Sequence, residues 1–132
     1  MRHFTKKKYS NDGASAVFVS SVMGVLGQPG KIGYCSSKAA VLGMVKASAL
    51  EFAKRKIRVN AVCPVYTITP MVEEMFEVIG DFKDKLETSI PMKRFGQAQE
   101  VAEMADFLIS EKAKSISGQI FEMDYGIVSF KI

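Results

Sequence analysis

The chain has 132 residues, 48% of them hydrophobic and 24% charged, with a net charge of +4. That length suits one domain or a piece of a larger one, and the apolar content excludes a disordered chain. Two Cys and one His exclude a disulfide framework and argue against a His/Cys metal centre, and no apolar run approaches the about 18 residues of a membrane span.

Residues 1–8 lack the apolar stretch of a secretory signal. A reduced, cytoplasmic chain with no membrane partner is therefore expected. Basic residues cluster at 2–8 and 54–58, without the interleaved aromatics of a single-strand nucleic-acid surface. Helix C-termini, where cations oppose the dipole, account for both clusters, and no nucleic-acid partner is expected.

Residues 2–9 read as the tail of a helix, closed by the turn signal Ser10-Asn11-Asp12-Gly13. Ala16-Val17-Phe18-Val19-Ser20 has no polar alternation, so a strand buried on both faces is expected. Residues 24–33 hold four glycines and a proline and read as a loop. Residues 34–54 have no Pro and a single Gly, Gly43, which favours a helix of about five turns. Its apolar side chains spread around most of the circumference, so it needs cover on more than one side. One side packs on a sheet; the rest needs another helix or another subunit. Val45 and Phe52, seven apart, share a face and are expected at such a contact.

Ile57-Arg58-Val59-Asn60-Ala61-Val62 reads as a second strand, stopped by Cys63-Pro64. Within residues 65–92, Met71, Val72, Met75, Phe76 and Ile79 recur at helical spacing, with Glu73, Glu74 and Glu77 as a solvated face. Residues 97–110 form a second good helix, with Val101, Met104, Ala105 and Leu108 on one stripe. Ser117-Gly118 turns the chain, and Gln119-Ile120-Phe121-Glu122-Met123 is a third strand, placed at the sheet edge with apolar surface to offer. Strand–helix–strand–helix–strand order implies parallel pairing through right-handed crossovers. The expected class is α/β: part of a doubly wound parallel sheet, about three strands wide.

Tyr34 and Lys38 are spaced i, i+4, so their side chains share a helix face. An ammonium beside a phenol stabilises the phenolate, which makes such a pair a usable general acid or base for a carbonyl or alcohol. Ser21 lies just past the first strand, and ligand sites of open α/β sheets lie at the carboxyl ends of strands. A hydroxyl there can bond a substrate oxygen.

These residues carry a resemblance. Val17-Phe18-Val19-Ser20-Ser21, a Gly-rich loop and then Tyr34-Cys35-Ser36-Ser37-Lys38-Ala39 resemble the active-site region of the classical short-chain dehydrogenase/reductases. Arg58-Val59-Asn60-Ala61-Val62-Cys63-Pro64 is similar to that family's sixth strand and the loop after it. Pro91-Met92-Lys93-Arg94-Phe95-Gly96 followed by Glu100-Val101-Ala102 is similar to the segment before its last main helix. Ser117-Gly118-Gln119, with Asp124-Tyr125-Gly126, resembles its final strand and exit.

The resemblance implies roles. Tyr34 would give the proton in carbonyl reduction and take it in alcohol oxidation. Lys38 would favour the Tyr34 phenolate and bond the nicotinamide ribose. Ser21 would position and polarise the substrate oxygen, and Ser20 would line the same turn. Pro64 would begin a loop over the nicotinamide, with Val65 next. Thr67 through its backbone and Thr69 through its hydroxyl would hold the carboxamide and a nearby phosphate. The implied cofactor is NAD or NADP, and the implied substrate a small-molecule carbonyl or secondary alcohol.

Three departures qualify the match. No Gly-rich phosphate loop follows an early strand, and neither Asn11 nor Asn60 matches the family's catalytic Asn. Val65 stands where the family has Gly, adding bulk where backbone approaches nicotinamide. Tyr125 replaces a usual Gly. Residues 1–132 thus read as the C-terminal half of one such domain, an incomplete Rossmann-like unit with the dinucleotide-binding half absent. Two functions follow. One is an NAD(P)-dependent oxidoreductase, represented by its Ser-Tyr-Lys half. The other is a non-catalytic truncated or split fragment that folds or functions only with a partner. A homo-oligomer, or pairing with an N-terminal half, is expected in either case. The chain alone is not expected to bind NAD(P) usefully, because a pyrophosphate rests on a Gly-rich turn and helix N-terminus.

Overall fold

The computed structural model describes residues 13–80 and 82–127. The helix tail and turn expected at residues 2–12 lie outside the described residues. The chain enters a sheet at β1 (Ala14–Val19), crosses through α1 (Met23–Leu26) and α2 (Ile32–Phe52), and returns as β2 (Ile57–Pro64). A second crossover runs through β3 (Thr67–Ile68), α3 (Pro70–Ile79), α4 (Phe82–Ser89), β4 (Gly96–Gln97) and α5 (Ala98–Ile109) to β5 (Ile120–Met123). The main sheet has the order β1-β2-β5 with both pairings parallel, and β3 pairs with β4 in a separate parallel ribbon. This is the α/β architecture with parallel strands and crossover helices that the sequence pattern implies.

β2 is the buried spine, because it alone in the main sheet has a strand on each side and a helix over each face. Ile57, Val59, Ala61 and Cys63 pack with Leu42, Val45, Ala49 and Phe52 of α2. Val62 faces the other way, against Leu108 of α5 with Val101 and Met104 around it. The alternation is that of a strand covered on both faces. β1 differs from expectation: its residues are only partly buried, and Val19 is 54% exposed. Among the described residues β1 has a neighbour on one side only, so its outer half lacks cover. In β5, Phe121 and Met123 are partly buried against the Val62–Leu108 cluster rather than free at the edge.

The polar residues of β2 hold the helix ends. The Arg58 guanidinium donates to the carbonyls of Leu108 at 2.6 Å, Ser110 at 3.0 Å and Ile109 at 3.2 Å. It satisfies the free carbonyls at the end of α5 and opposes its dipole. Lys54 and Arg55 lie in the last turn of a 3-10 extension of α2. The 54–58 cluster thus serves two helix C-termini. Asn60, fully buried, donates to Ile116 O at 2.9 Å and accepts from Gln119 N at 3.1 Å, which fixes the approach to β5.

Two expectations for the first crossover are corrected. Residues 24–33 are not all loop, since α1 occupies Met23–Leu26. Gly24 makes this possible: a Cβ there would stand 2.7 Å from the Lys38 carbonyl carbon, so only glycine lets α1 lie on α2. The Val45–Phe52 face is not a contact between chains. Val45 and Phe52 are 0% and 8% exposed and face the sheet. The open apolar side of α2 is the opposite one, with Met44 at 41% and Leu50 at 82% exposure and Ala40 and Ala47 exposed with them.

Candidate active site

Tyr34 and Lys38 occupy the first two turns of α2, after a loop turned by Gly27 and Gly30 at φ +77° and +76°. The Lys38 ammonium lies 5.7 Å from the centre of the Tyr34 ring. It also donates to Val19 O at 3.4 Å, at the carboxyl end of β1. Ser20 Oγ returns the tie by donating to Lys38 O at 2.8 Å. The side chain and the backbone of Lys38 are thus both fastened to the exit of β1. Of the three ammonium donors one is engaged, which leaves capacity for a polyhydroxyl ligand. Tyr34 is 46% exposed and open to a solute.

Ser21 is 7% exposed. It accepts from Met23 N at 3.2 Å and donates to Pro64 O at 3.5 Å. The second bond is at the outer limit of length, so the hydroxyl proton is available to a better acceptor. Val22 N donates to the same Pro64 carbonyl at 3.1 Å, and Val65 N donates to Met123 O at 3.2 Å. Ser21, Lys38 and Pro64 are therefore gathered at the carboxyl ends of the parallel strands, with Tyr34 beside Lys38.

The loop leaving β2 carries the other sequence-identified residues. Val65 is 7% exposed and packs in the α2-side core, so its bulk is taken up by the fold. Thr67 Oγ1 donates to Val65 O at 2.7 Å, which leaves its backbone as the available group. Thr69 caps α3, its hydroxyl accepting from Val72 N at 3.4 Å. That hydroxyl keeps its proton for an acceptor such as a phosphate oxygen. Below this loop, Phe76 is buried with Ile90 and Phe95, Met75 is packed beside them, and Met71 is 73% exposed. Glu73, Glu74 and Glu77 are exposed. Cys63 is buried and Cys35 half-buried, both as free thiols. Burial pushes the Cys63 thiol up.

A second polar cluster escaped the reading of the sequence. Arg94 and Glu100 form a two-pronged ion pair at 2.6 and 2.9 Å, and Tyr125 Oη donates to Glu100 Oε2 at 2.9 Å. The visible signal was Gln97 three residues before Glu100, a capping-box spacing, and Gln97 N does donate to Glu100 Oε2 at 2.8 Å. A cavity of about 910 Å³ opens at the opposite end of the sheet, bordered by Gly13, Lys46, Leu50, Lys56 and Lys114. None of the candidate active-site residues lines it. Among the described residues no His/Cys/Asp/Glu cluster suits a metal, and no helix is long and apolar enough to cross a membrane.

A family model described as enoyl-(acyl carrier protein) reductase matches residues 1–128. The 3-oxoacyl-(acyl-carrier-protein) reductase FabG of Thermotoga maritima is 44% identical over 114 residues, which make up 86% of this chain and 45% of that protein. The crystal structure of a short chain dehydrogenase family protein from Francisella tularensis superposes with a TM-score of 0.84 at 33% identity, covering 89% of this chain and 52% of its own. A 4-hydroxyisoleucine dehydrogenase complexed with NADH reaches 0.88 at 29% identity, over 98% of this chain and 52% of its own. The chain spans about half the length of the relatives it matches.

Proposed function

The chain belongs to the short-chain dehydrogenase/reductase family, and on that premise we propose that it carries the proton-transfer half of an NAD(P)-dependent oxidoreductase acting on a carbonyl or secondary alcohol. Residues 1–132 correspond in this reading to the C-terminal half of the family's domain. The observation that carries it is the fastening of Lys38 to the exit of β1, which holds the ammonium beside an open Tyr34 ring.

When bound, NAD or NADP supplies or removes the hydride. The chain's own groups do the rest. Tyr34 Oη gives its proton to the carbonyl oxygen in reduction and takes it back in oxidation. Lys38, with ammonium donors to spare, bonds the ribose hydroxyls and stabilises the phenolate left on Tyr34. Ser21 turns its proton from the long bond to Pro64 O toward the substrate oxygen. The backbone of residues 64–67 would hold the nicotinamide, and the Thr69 hydroxyl would bond a phosphate oxygen. A cytoplasmic setting, in which Cys35 and Cys63 stay thiols, belongs to the same reading.

The test is Tyr34→Phe in the native assembly of the chain, purified with any partner retained. Loss of NAD(P)H absorbance is followed on a carbonyl panel. The panel begins with 3-oxoacyl thioesters, the substrate type in the name of the Thermotoga relative, and continues to simple ketones. Turnover should fall by at least about 100-fold, the usual worth of a positioned general acid, with the thermal midpoint unchanged. Activity above about a tenth of wild type removes Tyr34 from the acid role. An assembly in which no carbonyl turns over favours the non-catalytic, partner-dependent reading.

A further inference from the structure

Tyr125 sits in the left-handed region, at φ +54°. That conformation suits glycine and costs a side chain about 1 kcal/mol or more. The ring is nonetheless fully used. Its hydroxyl donates to Glu100 Oε2 at 2.9 Å, and the Arg94 guanidinium lies 4.6 Å over its centre. Glu100 in turn holds Arg94 and Gln97 N. Met92 N donates to Tyr125 O at 3.2 Å. Sequence and geometry therefore place a strained aromatic where a relaxed glycine would fit.

These contacts close on one backbone point, Gly96. A Cβ there would lie 2.5 Å from Tyr125 Oη. Gly96 begins β4, which pairs with β3 in the register Thr67↔Gly96. Gly96 N donates to Tyr66 O at 2.9 Å. A ribbon of two residues per strand is marginal by itself, so its register depends on what fixes β4. We propose that Tyr125 is a positioning residue: with Glu100 and Arg94 it clamps β4 against β3 and thereby sets the position of residues 66–69 beside the cofactor. The cofactor part of this inference rests on the function proposed above; the clamp itself does not.

Amide hydrogen exchange on the 132-residue chain tests the clamp in two variants. Tyr125→Phe keeps the ring and removes the hydroxyl. Tyr125→Gly removes the clamp and also the backbone strain, so two roles predict opposite signs. A purely conformational role leaves protection unchanged or raises it. The clamp predicts exchange about tenfold faster at residues 66–69 and 94–97 in both variants, the loss of a charge-assisted hydrogen bond, with β1 and β2 unchanged. Retained protection in Tyr125→Gly, or a uniform loss across the main sheet, overturns the proposal. Gly96→Ala should loosen the same amides in the wild-type background and add little in Tyr125→Gly; equal effects in both backgrounds also overturn it.

Titration of the native assembly, purified with any partner retained, with reduced nicotinamide mononucleotide, followed by amide chemical shifts of this chain, separates the clamp from the cofactor reading. Several-fold weaker binding in both Tyr125 variants supports the positioning role. Unchanged binding in variants whose loop exchanges faster overturns that role. A wild-type assembly that does not respond to the mononucleotide refutes the cofactor reading instead, and the exchange data then decide the clamp alone.

Discussion

Glu100 collects donors from three directions, and that makes its protonation a switch for its surroundings. Arg94 first, then the Gln97 N–H and the Tyr125 hydroxyl, hold its carboxyl at about 2, below an ordinary 4.5. A carboxylate with a depressed folded value contributes stability that is complete above its unfolded value and fades as pH falls toward the folded one. The Arg94–Glu100–Tyr125 contacts are therefore intact at neutral pH and loosen as pH falls from about 4.5 to about 2. Acid titration of the Gly96 and Tyr125 resonances should show this transition, and Glu100→Gln should abolish it. A transition that survives in Glu100→Gln belongs to another group. Residues differ in how legible they were. Tyr34 and Lys38 stood out because one helical turn separates them, and Ser21 because a strand end precedes it. Tyr125 was visible as a departure from glycine, yet its partner lies 25 residues away in sequence. Only packing reveals what the ring does there. Val65 needs the fold for the same reason: its identity shows bulk, and only the fold shows that bulk packed in the α2-side core.

At the level of elements, pattern served best where the cover is complete. β2 is covered on both faces by a helix, and its pattern gives the strand to within two residues of its end. β1 has a similar composition but cover on one side, and sequence alone cannot see a missing neighbour. The ribbon of β3 and β4 is too short to leave any period. α1 was hidden by its glycine, which reads as loop and acts as a close contact. Gly24 therefore carries a prediction of its own. Its position 2.7 Å from backbone, rather than from a flexible side chain, means that Gly24→Ala must displace α1 from α2. Overpacking of this kind costs about 1–3 kcal/mol, enough to lower the thermal midpoint by at least about 4 °C. Because the same stretch of α2 accepts the Ser20 hydrogen bond, the Lys38 carbonyl should shift with it. A midpoint within error of wild type would mean that α1 does not rest on α2 as described.

At the scale of the whole molecule, the described residues leave apolar surface open. α2 buries Leu42, Val45, Ala49 and Phe52 on the sheet and turns Ala40, Met44, Ala47 and Leu50 outward. The small Ala40 and Ala47 allow close approach of another helix, and burying the Met or Leu beside them is worth about 1.5–3 kcal/mol each. β1 and β5 each present an outer edge to which, among the described residues, no strand is paired, and open edges invite further pairing. The chain is therefore expected to associate, with a second copy or with an N-terminal half, rather than persist as a monomer. Met44→Lys with Leu50→Glu tests this on the correct face of α2. Both positions are exposed, so the fold and its thermal midpoint should survive while the mass measured by light scattering across a concentration series falls toward that of one chain. Val45→Lys with Phe52→Glu makes the contrasting pair. These side chains are core, so that variant should unfold rather than dissociate. A wild-type chain that stays monomeric throughout the series, with the Met44–Leu50 variant indistinguishable from it, would mean that the outward face of α2 needs no partner and that its apolar residues are ordinary surface.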